Sequence, residues 1–342
     1  MLTLFTTPKP FRGHIAVIQR NAIRSWTLLR PTCEIILLGD DEGTAEIAAE
    51  FGARHISDVA CNEYGTPLLN DIFEKAQRVA RHNLLCYVNA DIILMSDLMR
   101  AVFRISWPRF LVIGHRWDLD ATGPLDFDTP DWETKMRAEA HTCGSLHSHE
   151  GVDYYIFPVG LWGEIPPFAV GRTSYDNWLI WRARSLGVPV IDATRVVTCI
   201  HQNHDRTYTS LGIRPPEALN NLTTGVEARR NRELAGDNLH IFTLRDATWA
   251  LGAKGRIRPL LTAKHLRRLR YTLPILPPPP GLRNRLTRAL LWLGVVLYDG
   301  LCRLRSPRAA ARGIARRVRR LLSPDNGDKA EDDAENQKQN QI

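Results

Sequence analysis

The sequence predicts an α/β fold: a mostly parallel sheet flanked by helices on both faces, followed by a helical C-terminal extension. Three observations predict it. Short apolar runs alternate with segments of helical periodicity through the first 95 residues. The runs are almost free of charge, as buried strands are. The basic residues are concentrated past residue 253 instead of being spread along the chain.

In order, residues 2–5 form an apolar strand, and Ile15, Ile18, Ala22, Trp26 and Leu29 recur on one helical face. Residues 34–38 form a strand ending at Gly39-Asp40-Asp41. A helix over 44–51 stops at Gly52, a short strand follows at 54–56, and Thr66-Pro67 opens a helix through Ile72, Ala76, Val79 and Ala80. Residues 84–88 are a buried strand that runs through Asn89-Ala90-Asp91 into Ile92, Ile93 and Leu94. A strand at 110–113 ends in Gly114-His115-Arg116-Trp117-Asp118, and the polar stretch 119–150 is expected to be a long loop over a site. Strands follow at 154–159, 188–191 and 196–200, with a helix over 175–186. The rhythm means parallel βαβ units, whose ligands sit beyond the carboxyl ends of the strands.

The division expected is an α/β domain over 1–215, an extension packing on it over 216–276, a proline break with basic helices over 277–322, and an acidic, disordered tail over 323–342. With 342 residues, 44% apolar and 24% charged, the chain can bury one large core and is not disordered as a whole. The net charge of +8 is uneven: −5 over 1–253, +17 over 254–322 and −4 over the last twenty residues. Six scattered cysteines, without a C-x-x-C, predict inert thiols in a reducing compartment. The first residues lack the basic and apolar regions of a secretory leader. The longest nearly uncharged run, 289–298, is ten residues against the ~20 that a spanning helix needs. The expected location is therefore the cytoplasm.

The chemistry centres on Asn89-Ala90-Asp91. A carboxylate delivered between two apolar strands is costly unless something pairs with it, and a divalent cation bridging phosphates is one such partner. A turn cap or an arginine pair is the alternative. At this tripeptide the chain resembles the GT-A glycosyltransferases, which carry a D-x-D at the end of a central strand. The resemblance implies that Asp91 binds the metal, Mn²⁺ or Mg²⁺, and that Asn89, in place of the first acid, hydrogen-bonds ribose or phosphate.

The same resemblance gives roles to later residues. Asp40 and Asp41 close the second strand, where the family uses an acid on base or ribose; the other reading is a cap for the helix at 44. The stretch 171–178 (GRTSYDNW) opens a helix as the family's acid motif does, which makes Asp176 the general base of an inverting transfer, its charge favoured by the helix start. Simple capping is the alternative there. By the same resemblance the strand at 196–200 delivers His201 as a second metal ligand, with His204 next; a local hydrogen-bonding pair on a turn is the alternative. Thr7, Thr66, Arg172 and Trp162 complete the expected substrate contacts, and Tyr154, Tyr155, Trp162 and Trp178 add aromatic surface for sugar rings; core packing of the aromatics and a plain helix cap at Thr66 are the alternatives. The resemblance covers about 60% of the chain.

The implied activity is transfer of a sugar from a nucleotide-diphosphate donor to the hydroxyl of a glycan, a lipid-linked or another acceptor. Two other readings stay open. A nucleotidyltransferase would want a glycine-rich phosphate loop after the first strand, which residues 6–10 (TTPKP) do not supply. A non-catalytic, membrane-associated scaffold is kept open by Asn89. The basic segment 283–322 carries Ala311, Ile314, Val318, Leu321 and Leu322 on one helical face, with arginines elsewhere. It is expected to lie peripherally on an anionic membrane surface, at the cytoplasmic face. Nucleic acid is disfavoured because that stretch lacks aromatics that would stack on bases.

Overall fold

Strand β1 (Leu2–Thr6) is buried at all five positions, and its alternation explains the layers. Leu2 and Leu4 face Ala22, Ile23 and Trp26 of helix α1 (Gly13–Thr27). Phe5 faces Ile72, Phe73 and Ala76 of helix α3 (Leu69–Val79). A strand covered on both faces has no polar side to show, so it reads as an unbroken apolar run. The same holds for β2 (Glu34–Leu38) and β4 (Leu84–Val88), which flank β1 on either side.

The computed structural model describes residues 1–276, except 121–122, 205–222, 237–241, 254 and 274, together with a few positions between 289 and 297. The chain divides into one compact unit, Met1–Arg288, and a second, Ala289–Ile342. In the first unit a nine-stranded sheet has the order β13-β12-β10-β6-β9-β4-β1-β2-β3. Its other members are β3 (Arg54–Ile56), β6 (Leu111–Ile113), β9 (Tyr154–Pro158), β10 (Val190–Asp192), β12 (Trp249–Leu251) and β13 (Ile257–Pro259). Neighbours are parallel except for β9 against β4 and β6, and β13 against β12. The mixed α/β sheet flanked by helices is thus the expected fold. The division expected at 215 does not separate the sheet, because β12 and β13 extend it beyond that point.

Helix α2 (Thr44–Phe51) ends where Gly52 takes a left-handed conformation at φ 65°, which a side chain would strain. Helix α3 starts at Leu69 rather than at Thr66-Pro67, since Pro67 and Leu68 are drawn into extended bridges with Cys61 and Ala169. The stretch 119–150 is not a loop throughout: α5 (Trp132–Thr142) lies within it, burying only Met136 and Ala140. With two buried positions in eleven residues, its helical period is hidden among charges.

Helix α5 covers a second, four-stranded sheet of order β5-β11-β7-β8, made of β5 (Ile92–Leu94), β11 (Cys199–Gln202), β7 (Trp117–Leu119) and β8 (Ser145–Leu146). Its register brings His201 opposite Ile92 on one side and opposite Asp118 on the other. Ile93, Leu119 and Ile200 turn to α5 with Met136 and Ala140. Because neighbours along a strand alternate, His201 and Asp118 share the opposite face. The five described cysteines are free. Among the described residues no helix is long and apolar enough to cross a membrane. The basic amphipathic helix at 308–322 and the acidic tail lie outside the described residues, as does nearly all of 283–305.

Candidate functional site

Asp91 leaves β4 one residue before β5, and the register that sets His201 against Ile92 brings the two side chains together. His201 Nε2 lies 3.6 Å from Asp91 Oδ2, and His204 Nε2, two residues beyond β11, lies 3.1 Å from the same oxygen. One ligand atom from each of Asp91, His201 and His204 falls within 4.8 Å of the others. Asp91 Oδ1 is buried and, among the described residues, has no hydrogen-bond partner. A buried carboxylate oxygen without a partner is costly, and a cation would satisfy it. Two imidazoles and a carboxylate are a donor set suited to Mn²⁺ and other first-row divalent metals. Burial by itself would raise Asp91; the hydrogen bond from His204 and the charges of His201 and Lys9 outweigh it and hold the carboxyl well below the usual range.

Around these three runs a ring of charged side chains. His201 Nδ1 stands 3.3 Å from Asp118 Oδ1, an ion-pair distance without the alignment of a full hydrogen bond. Asp118 also receives Arg116 Nε at 2.8 Å and His147 Nδ1 at 2.5 Å. Arg116 Nη1 donates to Asp153 Oδ1 at 2.8 Å, and Asn89 Nδ2 donates to the same oxygen at 2.7 Å. Asn89 is fixed further by its backbone N–H on the Asp153 carbonyl. This explains the amide at position 89. It faces a carboxylate that is 5% exposed, where an aspartate would set two anions against each other. The side-chain N–H of Asn89 is thereby held by Asp153. Asp118, Arg116, His147 and Asp153 were not selected from the sequence. The only signal was the charged run after the strand at 110–113.

Asp176 sits in the first turn of α6 (Tyr175–Ser185). The residue before that helix, Ser174, is buried and has φ 89°, which a non-glycine side chain adopts only under strain. Such strain collects at functional sites, where the surroundings hold it in place. Asp176 Oδ1 accepts the N–H of Asn177 at 2.9 Å. Burial is the main influence on its acidity and Asp153 adds to it, so the carboxyl is pushed up to about 6 despite backbone N–H groups that pull it down. The helix start therefore does not keep this acid as readily charged as expected, although it is ionised at neutral pH.

Thr7, Asp40 and Asp41 stand just past the carboxyl ends of β1 and β2, beside Asn89 and Asp91 past β4. Thr7 Oγ1 is buried without a hydrogen-bond partner among the described residues. Neither aspartate caps α2, which is entered through Gly43 at φ 85° with no side-chain cap. Burial, then the neighbouring Asp40, raises the pKa of Asp41 above the ordinary carboxylate value.

Other candidates fall away from the site. Trp162 has no exposed surface and packs between Phe157 and Phe73, with ring centroids at 5.1 and 6.3 Å. Tyr154, Tyr155 and Trp178 are also core residues. None of the four offers a face to a sugar. Arg172 is buried and forks onto Glu227 Oε2, through Nε at 2.9 Å and Nη2 at 2.5 Å. Thr66 bonds the same glutamate, so both residues tie the 62–66 turn and the start of α6 to the helix Val226–Ala235.

No family model matches the chain, and no curated protein matches its sequence. Several solved structures are similar. One is the mannosyltransferase PcManGT from Pyrobaculum calidifontis in complex with GDP-Man and Mn²⁺, 15% identical over 95% of this chain and 88% of that one, with a TM-score of 0.38. Another is glucosyl-3-phosphoglycerate synthase from Mycobacterium tuberculosis in complex with Mg²⁺ and UDP, 14% identical over 66% of this chain and 79% of that one, at 0.37. S. aureus TarS 1-349 in complex with UDP matches at 12% identity over 36% of this chain and 38% of that one, at 0.28. At such identities and scores, function has to be argued from the chain's own residues.

Proposed function

We propose that this chain is a metal-dependent glycosyltransferase that moves a sugar from a nucleotide-diphosphate donor to an acceptor hydroxyl with inversion. The observation that carries the reading is the convergence of Asp91 past β4, His201 within β11 and His204 just past it, with a carboxylate oxygen among them that is unpartnered among the described residues. These three residues would hold Mn²⁺ or Mg²⁺. When bound, the cation supplies positive charge to the diphosphate as the leaving group departs.

The chain's own residues do the rest. Asp176, ionised at neutral pH, takes the proton of the acceptor hydroxyl while that oxygen bonds to the anomeric carbon. The bond from that carbon to the diphosphate oxygen breaks, and its electron pair leaves with the nucleoside diphosphate. Thr7, Asp40 and Asp41, at the ends of neighbouring parallel strands, would receive base and ribose. Asn89 acts indirectly, by holding Asp153 beside Asp176. The +17 segment over 254–322 would bring the enzyme to an anionic membrane surface at the cytoplasmic face, near a lipid-linked or glycan acceptor.

The test is release of nucleoside diphosphate from a panel of nucleotide-sugars, with Mn²⁺ and with chelator. Metal-dependent release from one donor supports the reading. Donor binding without release favours the scaffold, and pyrophosphate release from a nucleoside triphosphate favours a nucleotidyltransferase.

A further inference from the structure

The imidazole of His201 stands between two carboxylates, with Nε2 toward Asp91 and Nδ1 toward Asp118 at 3.3 Å. The two nitrogens lie on different edges of the ring, so a neutral imidazole that offers its Nε2 lone pair carries its proton on Nδ1. Asp118 sets its carboxylate Oδ1 beside that nitrogen, at ion-pair distance and not yet aligned as a full hydrogen bond. Its carboxylate is held from three directions: by the parallel register that sets it beside His201, by Arg116 Nε on Oδ1, and by His147 Nδ1 on Oδ2. Arg116 is fixed in turn by Asp153. The second carboxylate is therefore rigid before any ligand arrives. Asp118 does not belong to the ligand cluster itself.

We propose that Asp118 is the positioning residue of the cation site: it accepts the Nδ1–H of His201, selects the tautomer with its lone pair on Nε2, and aims that lone pair at the ion. This rests on the reading that Asp91, His201 and His204 bind a divalent cation. A carboxylate behind a ligating histidine both orients the ring and makes it a better donor, and removing such a partner typically weakens metal binding by about 10–100-fold. Arg116 holds Asp118 in place through Nε on Oδ1, which accounts for a guanidinium so near a cation site.

The experiment measures Mn²⁺ binding to metal-free, full-length protein, from the electron paramagnetic resonance signal of free Mn²⁺. Wild type, Asp118→Ala and Asp118→Asn are compared, each with a thermal unfolding curve recorded without metal. Asp118→Ala is expected to bind Mn²⁺ about 10–100-fold more weakly. Asp118→Asn keeps an oxygen for Nδ1–H but not the charge, and is expected to lose roughly three- to tenfold. A purely structural Asp118 would lower the unfolding temperature and leave the Mn²⁺ affinity of the folded fraction unchanged. Should the alanine variant not fold, the asparagine variant decides alone: affinity within twofold of wild type overturns the proposal. Absence of Mn²⁺ binding by wild type would instead refute the cation reading on which the proposal stands.

Discussion

Replacing Asp176 by asparagine should make the protein more stable and less active at once. The carboxyl is pushed to about 6, chiefly by burial and then by the charge of Asp153, against an ordinary value of 3.8. A folded-state value above the unfolded one means that the folded state binds the proton more tightly. Ionisation of Asp176 therefore costs stability above pH 6, and the cost is relieved as pH falls from 6 to below 3.8. Each unit is worth about 1.4 kcal/mol, so the full cost at pH 8 is on the order of 2–3 kcal/mol. Asparagine has the same shape, can still accept the N–H of Asn177, and carries no charge to bury. Thermal unfolding of both proteins from pH 4 to pH 8 reads the difference. The variant is expected to melt a few degrees higher at pH 8, with the gap closing between pH 6 and pH 4. Turnover should fall by roughly 10²–10⁴-fold with donor affinity little changed, and wild-type turnover should lose about tenfold between pH 7 and pH 5. A variant that melts lower than wild type at pH 8, with near-normal turnover, would return Asp176 to helix capping.

Asn89→Asp should not improve metal use; it sets a second carboxylate 2.7 Å from Asp153 and should lower the unfolding temperature at pH 8 more than at pH 5, read by the same melts. Arg172→Met leaves Glu227 buried without its guanidinium and should cost about 3–5 kcal/mol in denaturant unfolding, while the donor affinity of the folded protein is kept. Removing residues 282–342 should release the protein from anionic vesicles in co-sedimentation, and raised salt should weaken binding of the full chain. Equal vesicle binding by both forms would refute the membrane role.

The parts of the fold that could be read from the sequence are those where local pattern and burial agree. The runs at 34–38 and 84–88 are strands without a solvent face, and Gly52 marks the end of α2 because only glycine is at ease there. Helix α5 was hidden because two buried residues in eleven make no visible stripe. Asp91 and His201 could be picked out because each adjoins an apolar run, although β11 begins only at Cys199 and takes His201 into the strand instead of ending before it. Their supports could not: Asp118, Arg116, His147 and Asp153 acquire meaning only through the small sheet and its register, which no spacing rule encodes. Residue type misled at Trp162 and Arg172. An indole serves a sugar or a core equally well, and the partners that decide, Phe157, Phe73 and Glu227, lie apart from them in the chain or in another element.

The most direct test of the cation site is anomalous scattering from crystals grown with Mn²⁺ and a nucleoside diphosphate. The account predicts one manganese peak about 2.1–2.3 Å from Asp91, His201 and His204, with diphosphate oxygens completing its coordination. A donor-bound crystal with no manganese at these residues, from protein whose turnover survives chelation, would contradict it.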